Sequence, residues 1–299
     1  MVVHSTCPLC DSGNISFFLK CTDNLVSGDK FDLYWCPDCN FIFTQGYPDE
    51  EEIGAFYEST DYISHEDNAH GMLNSIYRKA RDMMLCRKKK MIEKITGMTK
   101  GRLLDVGCGT GYFAGMMQRS GWIVRGIEKN MKAREFGSAR FGLNIIGPEK
   151  LSTLPERGFD CITMWHVLEH LHDPFKYARE IKRLLDPKGF VIIALPNSAS
   201  SDSVYYKENW AAFDVPRHIW HFDMSTFRKF CELTGFKIVS LKRLPLDVFY
   251  ISILSEKNKG ASFPFIKGIL KGSLFALISL FKILNSSSLI FFLRTQNYQ

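Results

Sequence analysis

The sequence predicts an α/β protein with a Rossmann-like, doubly wound and mostly parallel sheet, preceded by a small cysteine-rich module. From residue 102 onward, short apolar runs alternate with helical segments, which is the pattern of successive βαβ units. The first of these runs leads directly into a glycine-rich turn. Before this region the sequence contains two CxxC motifs, one formed by Cys7 and Cys10 and the other by Cys36 and Cys39.

The elements of the α/β region follow from apolar runs and their boundaries. The short apolar runs are predicted to be strands, and the segments between them are predicted to be helices. Ser225 is a plausible N-cap for a later helix. The predicted strands are 103–106, 122–127, 161–164 and 190–195, and the predicted helices run to 120 and over 132–141 and 174–185.

Composition sets broad limits on the class of protein. A hydrophobic content of 45% is enough for a packed core, which argues against wholesale disorder. The formal net charge of +6 allows an anionic partner without requiring one. Residues 1–14 lack the basic region and apolar stretch of a signal peptide, so we expect a cytoplasmic protein. In that compartment paired CxxC motifs favour metal binding over disulfides.

The chain divides into three regions by composition and pattern. A strand-like run at 31–35 lies between the cysteine pairs, and residues 72–96 show helical periodicity ended by glycine. The predicted division is a module at 1–46, a helical linker or cap at 47–100, and the α/β domain at 101–299, with a lid-like insertion at about 197–224 and a helical insertion at about 251–284.

The cysteine pairs predict a structural zinc site. Cys7, Cys10, Cys36 and Cys39 supply four thiolates, with 25 residues between the two pairs. Four thiolates satisfy tetrahedral zinc, and each CxxC forms a tight knuckle. We therefore expect a zinc ribbon in which the metal folds the module and has no open position for chemistry.

The glycine-rich turn predicts a ligand site, but not one for a dinucleotide. Residues 104–111 read LDVGCGTG, a G-x-G-x-G spacing, and Tyr112 stands where a dinucleotide fingerprint has its third glycine. Asp105 at the strand end would repel a pyrophosphate, whereas it suits a ligand that carries ammonium and sulfonium cations. Glu128 ends the second strand, where a carboxylate can accept both hydroxyls of a ribose.

Residues 105–111, Glu128 and residues 159–170 together resemble the class I S-adenosylmethionine-dependent methyltransferases. They are most similar to the branch that includes ubiquinone-biosynthesis O-methyltransferases, over roughly residues 100–200. The resemblance implies a seven-stranded sheet and S-adenosylmethionine as methyl donor. It places Asp105, Gly107, Gly109 and Gly111 beside the methionine moiety, Glu128 on the ribose, and Trp165 against the cofactor. The loop after the third strand lacks the usual Asp, so Glu149 or a backbone amide would contact the adenine.

Residues 164–174 follow the fourth strand and are expected to face cofactor and acceptor. An oxygen nucleophile must lose its proton, and a neutral histidine such as His170 is the usual base. Some related O-methyltransferases hold a divalent ion here with two glutamates and a histidine. This chain keeps Glu169 and His170 but has His166, a candidate acceptor contact, in place of the first glutamate. A catalytic metal stays open, as does the alternative that Glu169 and His170 only begin a helix.

Residues 210–222 form a second histidine group in an aromatic-rich stretch. The stretch resembles a Pro-Arg-His…His-Phe segment of methyltransferases encoded among polysaccharide genes. We expect Arg217 to bind the acceptor and His218 and His221 to take part in catalysis. The alternative is structural: the histidines satisfy backbone groups while the tryptophans pack.

The apolar stretch at 269–284 is not expected to span a membrane, because Lys271 and Lys282 interrupt it. Two hypotheses remain for residues 262–284. One is an interfacial helix that makes peripheral contact with anionic lipid. The other, which we favour, is a helix inserted before a last strand at 289–293 that completes the sheet.

Nucleic acid is not an expected partner. The basic run at 87–90 lies on an otherwise amphipathic helix, where a solvated face is the simpler explanation. No Asn-Pro-Pro-aromatic motif follows the fourth strand. Zinc-finger ribosomal RNA methyltransferases carry a histidine in the second half of their finger, unlike the two CxxC pairs found here.

The sequence thus predicts an S-adenosylmethionine-dependent methyltransferase that acts on a small molecule, such as a sugar or sugar nucleotide of cell-surface glycan biosynthesis. The ribbon followed by residues 55–57 and Tyr62 resembles sugar and glycan methyltransferases. Three alternatives stay open: a ribosomal RNA methyltransferase, a non-catalytic cofactor-binding subunit and a nicotinamide oxidoreductase. The oligomeric state is not predicted.

Overall fold

The structure is a computed structural model that describes residues 1–57 and 72–296. Tyr62 and part of the predicted linker lie outside the described residues. Those residues form eleven strands and eight α-helices. The strands are β1 (Ser16–Thr22), β2 (Lys30–Trp35), β3 (Ile42–Gln45), β4 (Arg102–Val106), β5 (Ile123–Ile127), β6 (Asn144–Ile146), β7 (Phe159–Trp165), β8 (Leu185–Pro196), β9 (Trp220–His221), β10 (Phe236–Arg243) and β11 (Ser288–Thr295). The helices are α1 (Met72–Thr96), α2 (Tyr112–Arg119), α3 (Met131–Phe141), α4 (Pro174–Leu184), α5 (Ser201–Tyr206), α6 (Met224–Thr234), α7 (Asp247–Asn258) and α8 (Pro264–Phe281).

Seven strands form one sheet in the order β10-β11-β8-β7-β4-β5-β6. The inner strands are parallel, whereas β11 runs antiparallel to both β8 and β10. This confirms the predicted doubly wound, mostly parallel seven-stranded fold. The last strand forms where the sequence predicted it, after a helical insertion.

Helices cover both faces of this sheet, which is why its central strands read as continuous apolar runs. On one face, α4 and α6 contribute residues such as Ile181 and Phe227 to the core. On the other face, α1 and α2 contribute Ile92 and Met117. The strand order changes direction between β4 and β7, so the carboxyl ends of these two strands define the crevice where doubly wound sheets bind ligands.

The helix boundaries follow ordinary capping chemistry, with one correction. The Asn130 side chain accepts a hydrogen bond from the backbone N–H of Ala133 at the start of α3. Helix α6 was expected to begin at Ser225. Its N-cap is instead Asp223, which forms a reciprocal capping box with Thr226. Both residues are good caps, and the box adds a second bond that a lone serine lacks.

The cysteine-rich module has a sheet of its own, in the order β1-β2-β3-β9. Its fourth strand comes from residues 220–221, inside the predicted lid. In this pairing Phe43 lies opposite Trp220, and the N–H of Thr44 donates to the carbonyl of Ile219 at 2.8 Å. The N-terminal sheet therefore extends beyond the predicted boundary at residue 46, because its fourth strand comes from the α/β domain. The segment predicted as a lid-like insertion is packed against the module, with Trp210 buried.

Helices α7 and α8 form a hairpin between β10 and β11, which matches the predicted helical insertion. Helix α8 lies within the helical segment that was predicted at 262–284. It is the one helix in the described part of the chain that is long and apolar enough to cross a membrane, with a mean hydropathy of 1.5 and only 17% of it buried. Helix α8 is longer than the segment 269–284 on which the expectation against a span was based, but length and composition alone do not show that it crosses a membrane.

Candidate active site

The glycine turn at residues 107–111 is shaped for close approach of a ligand. Gly107, Gly109 and Gly111 have positive φ angles of 67°, 54° and 80°. A Cβ at Gly107 would lie 2.4 Å from Cγ2 of Val167, so only glycine fits there. A Cβ at Gly109 would meet nothing within 4 Å among the described residues. The turn is thus packed on one side and has room for a ligand on the other.

Asp105 lies at the switch point of the sheet and is buried. Its Oδ1 accepts a hydrogen bond of 2.6 Å from Oγ1 of Thr163, directly opposite on β7. Burial raises the pKa of Asp105 to about 7, although the Thr163 hydrogen bond opposes the shift. A cation placed beside this carboxylate would favour its ionised form. The site therefore suits the positively charged part of a ligand.

Glu128 is held over the same turn. Its carboxylate accepts hydrogen bonds from the N–H of Gly109 at 2.9 Å and from the N–H of Asn130 at 2.8 Å. These bonds fix the carboxylate immediately after β5, next to the glycine that leaves space for a ligand. The structure thus brings Asp105, Glu128 and the turn together, as the sequence predicted.

Glu149 and Trp165 lie at the two flanks of this crevice. Glu149 sits in a 3-10 helix at Pro148–Thr153, and its carboxylate folds back against Gly147. Trp165 ends β7 and packs edge-on against Phe113 at 5.3 Å between ring centres. Its indole Nε1 has no hydrogen-bond partner among the described residues. Cofactor contacts by these two residues stay predictions.

Lys88 reaches the crevice from α1, contrary to the solvated face expected for the basic run 87–90. Its Nζ lies 4.1 Å from the centre of the Trp165 ring. Burial lowers the pKa of Lys88, while the carboxylates of Asp247 and Asp105 act in the opposite direction. The periodicity of α1 could not identify this residue, because its carboxylate partners lie on distant elements.

Glu169, His170 and His218 form a cluster in which one ligand atom from each lies within 4.8 Å of the others. Nδ1 of His170 bonds the carbonyl of Arg217 at 3.0 Å, and Nδ1 of His218 bonds the carbonyl of Ala212 at 2.8 Å. Since a carbonyl only accepts, each Nδ1 carries the hydrogen and each Nε2 retains a lone pair in the neutral form. The cluster therefore combines two imidazole lone pairs with a carboxylate.

Neither histidine of this cluster donates a hydrogen bond to the carboxylate of Glu169. Neither carboxylate oxygen of Glu169 has a well-formed hydrogen bond among the residues that the structure describes, and the residue is buried. Burial and the neighbouring His218 lower the pKa of His170 to about 4, so His170 is neutral at pH 7. Among the described residues, only Oε1 of Glu169 faces a cation, His166 at 3.4 Å, so a hydroxyl group or a cation placed in the cluster would satisfy the other buried carboxylate oxygen.

His166 bridges two acidic residues. Its Nε2 lies 3.1 Å from Oδ2 of Asp247, and its Nδ1 lies 3.4 Å from Oε1 of Glu169. Burial alone lowers the pKa of His166, but the two carboxylates outweigh this effect and raise it to about 9. His166 is therefore charged at neutral pH. Its predicted contact with the acceptor stays a prediction.

Arg217 and His221 are buried between the module and the α/β domain. Arg217 is 1% exposed and donates to Asp23 at 2.8 Å, to Asp214 at 2.8 Å and to the carbonyl of Phe56 at 2.9 Å. His221, 4% exposed, has Nε2 3.0 Å from Oγ1 of Thr44. These contacts fit the structural alternative better than contact with an acceptor.

The four paired cysteines converge at the end of the module. The Sγ atoms of Cys7 and Cys39 are 3.6 Å apart, those of Cys10 and Cys36 are 3.7 Å apart, and all four lie within 4.8 Å of one another. A tetrahedron with zinc–sulfur bonds of ~2.3 Å has sulfur–sulfur distances of about 3.8 Å. The donor set and its dimensions therefore fit a zinc ion.

Three residues near the candidate site were not predicted to be site residues from the sequence. They are Thr163, which bonds Asp105; Asp247, which bonds His166; and Tyr57, whose hydroxyl lies 3.0 Å from Nδ1 of His170. Position at the end of a parallel strand could have pointed to Thr163. No local pattern marks Asp247, and the resemblance of residues 55–57 to glycan methyltransferases assigned no role to Tyr57.

Comparison with solved structures agrees with the fold. Magnesium protoporphyrin IX methyltransferase from Synechocystis PCC 6803 superposes with a TM-score of 0.54 at 14% identity, over 83% of this chain and 100% of that one. A Burkholderia thailandensis 1,6-didemethyltoxoflavin-N1-methyltransferase gives 0.51 at 15% identity, over 87% and 98%. Both were solved with bound S-adenosylhomocysteine. At these identities the likeness shows the fold alone.

Part of the chain is similar in sequence to curated proteins. The ubiquinone biosynthesis O-methyltransferase of Caulobacter sp. (strain K31) is 37% identical over 103 residues, which is 32% of this chain and 41% of that protein. The corresponding protein of Paracidovorax citrulli is 32% identical over 114 residues, 36% of this chain and 48% of its own length. The chain thus spans about half or less of the length of these relatives.

The fold and the glycine turn define a class I S-adenosylmethionine-dependent methyltransferase. The family described as "Methyltransferase domain" matches residues 77–241, more than half of the 299 residues, and this chain belongs to that family. The matched range includes the glycine turn, Glu128 and the Glu169–His170–His218 cluster. The resemblance found in the sequence is thereby confirmed.

Proposed function

We propose that this protein transfers a methyl group from S-adenosylmethionine to an oxygen atom of a small-molecule acceptor. The observation that carries the proposal is the placement of Asp105 and Glu128 around the open side of the glycine turn, at the switch point of the sheet. Asp105 would face the cationic methionine portion, and Glu128 would exchange its bond to Gly109 for the ribose hydroxyls.

Methyl transfer needs alignment and a proton acceptor. A lone pair on the acceptor oxygen forms the new C–O bond as the S–CH3 bond breaks in line, which releases S-adenosylhomocysteine. The hydroxyl proton must leave, and we assign it to the His170–His218 pair. The ring centres of the two imidazoles lie 4.4 Å apart. Burial and the neighbouring His218 keep His170 neutral at pH 7, so its Nε2 lone pair is available to take the proton. Glu169 beside them would stabilise that proton.

The same cluster could hold a divalent ion. One carboxylate and two imidazoles are a donor set that transition metals accept, and Oε2 of Glu169, which has no hydrogen-bond partner among the described residues, is consistent with it. When bound, such an ion would lower the pKa of a coordinated hydroxyl group. The residues would then position the acceptor in the same place as in the metal-free proposal.

For the acceptor we propose a sugar or sugar nucleotide used in cell-surface glycan biosynthesis, in the cytoplasm. Support comes from the resemblance of residues 210–222 to methyltransferases encoded among polysaccharide genes. The names of the curated relatives, ubiquinone biosynthesis O-methyltransferases, suggest an intermediate of ubiquinone biosynthesis as the competing acceptor. We also propose that Cys7, Cys10, Cys36 and Cys39 bind a structural zinc ion, as their spacing supports.

The test begins with calorimetric titration of the zinc-loaded protein with S-adenosylhomocysteine, with NAD as the control ligand. Micromolar binding of the first ligand alone supports the cofactor proposal, and binding of NAD alone overturns it. Transfer of labelled methyl from S-adenosylmethionine to a panel of sugar nucleotides and phenols then identifies the acceptor class. Asp105→Ala is the negative control for every acceptor.

Two further outcomes have distinct meanings. Methylation of ribosomal RNA, with salt-dependent RNA binding, would replace the small-molecule proposal. Cofactor binding without transfer to any acceptor would indicate a non-catalytic subunit.

A further inference from the structure

Helix α8 presents its large apolar side chains to the outside of the molecule. Phe265 is 62% exposed, Leu270 65% and Phe281 86%. Such an array is far larger than the single exposed apolar residues that any soluble surface carries. The other members of this surface, which we call the α8 face, are Ile266, Ile269, Leu274, Leu277 and Leu280.

The opposite side of α8 is built from small residues that are fully used in packing. A Cβ at Gly268 already falls 2.4 Å from Cα of Ile253, and a Cβ at Gly272 falls 2.9 Å from Phe249. Helix α8 thus packs closely on α7 through glycine, and Phe275 is buried, while Phe265, Phe281 and the leucines of α8 are exposed. In a soluble helix most large apolar residues would be buried, whereas on α8 most of them are exposed.

The charge pattern around the α8 face has one sign. Residues 257–296 contain six basic residues and no Asp or Glu. Lys267 and Lys271 lie on α8 itself, and Nζ of Lys271 lies 4.4 Å from the centre of the Tyr205 ring. Lysines beside an apolar helix face can extend their ammonium groups toward lipid phosphates while the apolar side chains enter the acyl region.

We propose that the α8 face binds the surface of a bilayer that contains anionic lipid, with α8 lying in the plane of the interface. Both ends of the helix are tied to the same body, because α7 precedes it and β11 follows it inside the sheet. Helix α7 is itself fixed to α5 by the hydrogen bond from Tyr206 to Glu256, 3.1 Å long. With both ends anchored on one side, α8 does not cross the membrane.

The test uses the full, zinc-loaded protein and sedimentation with two kinds of vesicle. One is phosphatidylcholine alone, and the other contains about one-third phosphatidylglycerol. We expect binding to the anionic vesicles that weakens at high salt. The triple variant Phe265→Ser/Leu270→Ser/Phe281→Ser should lose at least about tenfold in partition, since it removes buried apolar area. Lys267→Glu/Lys271→Glu should bind more weakly to the anionic vesicles alone.

The matched control is Leu233→Ser, which removes a 57% exposed leucine from α6 and should bind as the parent does. The altered side chains are exposed except that of Lys271, which is half-buried against the Tyr205 ring, and unchanged circular dichroism verifies that each variant is folded. No sedimentation of the parent protein with either vesicle overturns the proposal. So does a dimer in gel filtration that the triple variant abolishes, because the α8 face would then bind a second copy of the chain.

Discussion

The guanidinium of Arg217 donates to the carboxylate of Asp23 at 2.8 Å, across 194 residues of sequence, with both side chains almost completely buried. This ion pair joins the turn after β1 to the loop before β9. The cysteine-rich module and the α/β domain are therefore connected by charge as well as by the β3–β9 pairing. Arg217 acts at the junction of the two sheets.

Replacement of Arg217 by methionine should destabilise the protein by about 3–5 kcal/mol, because the carboxylates of Asp23 and Asp214 would be left near each other without their cation. Chemical denaturation measures this change. Arg228→Met, on the exposed side of α6, is the matched control and should be neutral. If Arg217 instead binds the acceptor, its replacement would raise KM and leave the unfolding midpoint unchanged.

The raised pKa of Asp105 predicts that cofactor binding depends on pH. In the free protein this carboxyl group is half protonated near pH 7, and a cationic ligand requires it to be ionised. Affinity for S-adenosylmethionine should therefore fall as the pH drops below about 7, by up to about tenfold per pH unit, with proton release on binding. Calorimetry in buffers of different ionisation enthalpy measures the released proton.

Asp105→Asn is the critical comparison for this pH dependence. The variant should lose about tenfold or more in affinity at pH 8, since a charge-assisted contact is worth ~1.5–3 kcal/mol, and it should lose the proton release as well. Equal proton release by the parent and the variant would show that another group titrates.

Removal of zinc should unfold the cysteine-rich module. Cys36→Ser, or treatment with a strong chelator, should lower the thermal midpoint and abolish the one zinc per chain that metal analysis is expected to find. Cys86→Ser changes an exposed thiol outside the cysteine cluster and is the control. A full complement of zinc in Cys36→Ser would contradict the assignment of the ligands.

The Glu169–His170–His218 cluster should control turnover without controlling cofactor affinity. We expect His170→Ala to lower kcat by ~100-fold or more, the usual contribution of a proton acceptor, with S-adenosylhomocysteine bound as before. His172→Ala serves as the control, because its ring bonds the carbonyl of Pro48. A parallel loss of cofactor affinity in His170→Ala would place this residue in the cofactor pocket or in the fold.

The core of the site was predictable because its signals are local. The strand, the glycine turn and the following helix are contiguous in sequence, and Asp105 and Glu128 each sit at a strand end that the apolar pattern defines. The CxxC spacing is likewise a local signal, because each motif alone places two thiolates close enough to bind one metal ion. Such motifs can be interpreted without knowledge of the rest of the chain.

The remaining features depend on partners that are distant in sequence. An arginine in this stretch is a reasonable residue for binding an acceptor. Only the position of Asp23 in the structure shows that Arg217 forms a buried ion pair instead. The two-residue strand β9 is too short for any alternation to mark it. The direction of α8 was equally hidden, because a periodic apolar pattern does not state which face meets the protein.

The pairing of β3 with β9 also has a consequence for the order of events during synthesis. Oγ1 of Thr44 donates to the carbonyl of His218, 174 positions later in the chain. The ribosome releases both cysteine pairs and three strands of the small sheet long before the fourth strand exists. Until residue 221 emerges, β3 remains an open edge on a nascent chain, and such edges favour wrong partners. Completion of the N-terminal sheet is therefore a late step of biogenesis, although its residues are the first to be made.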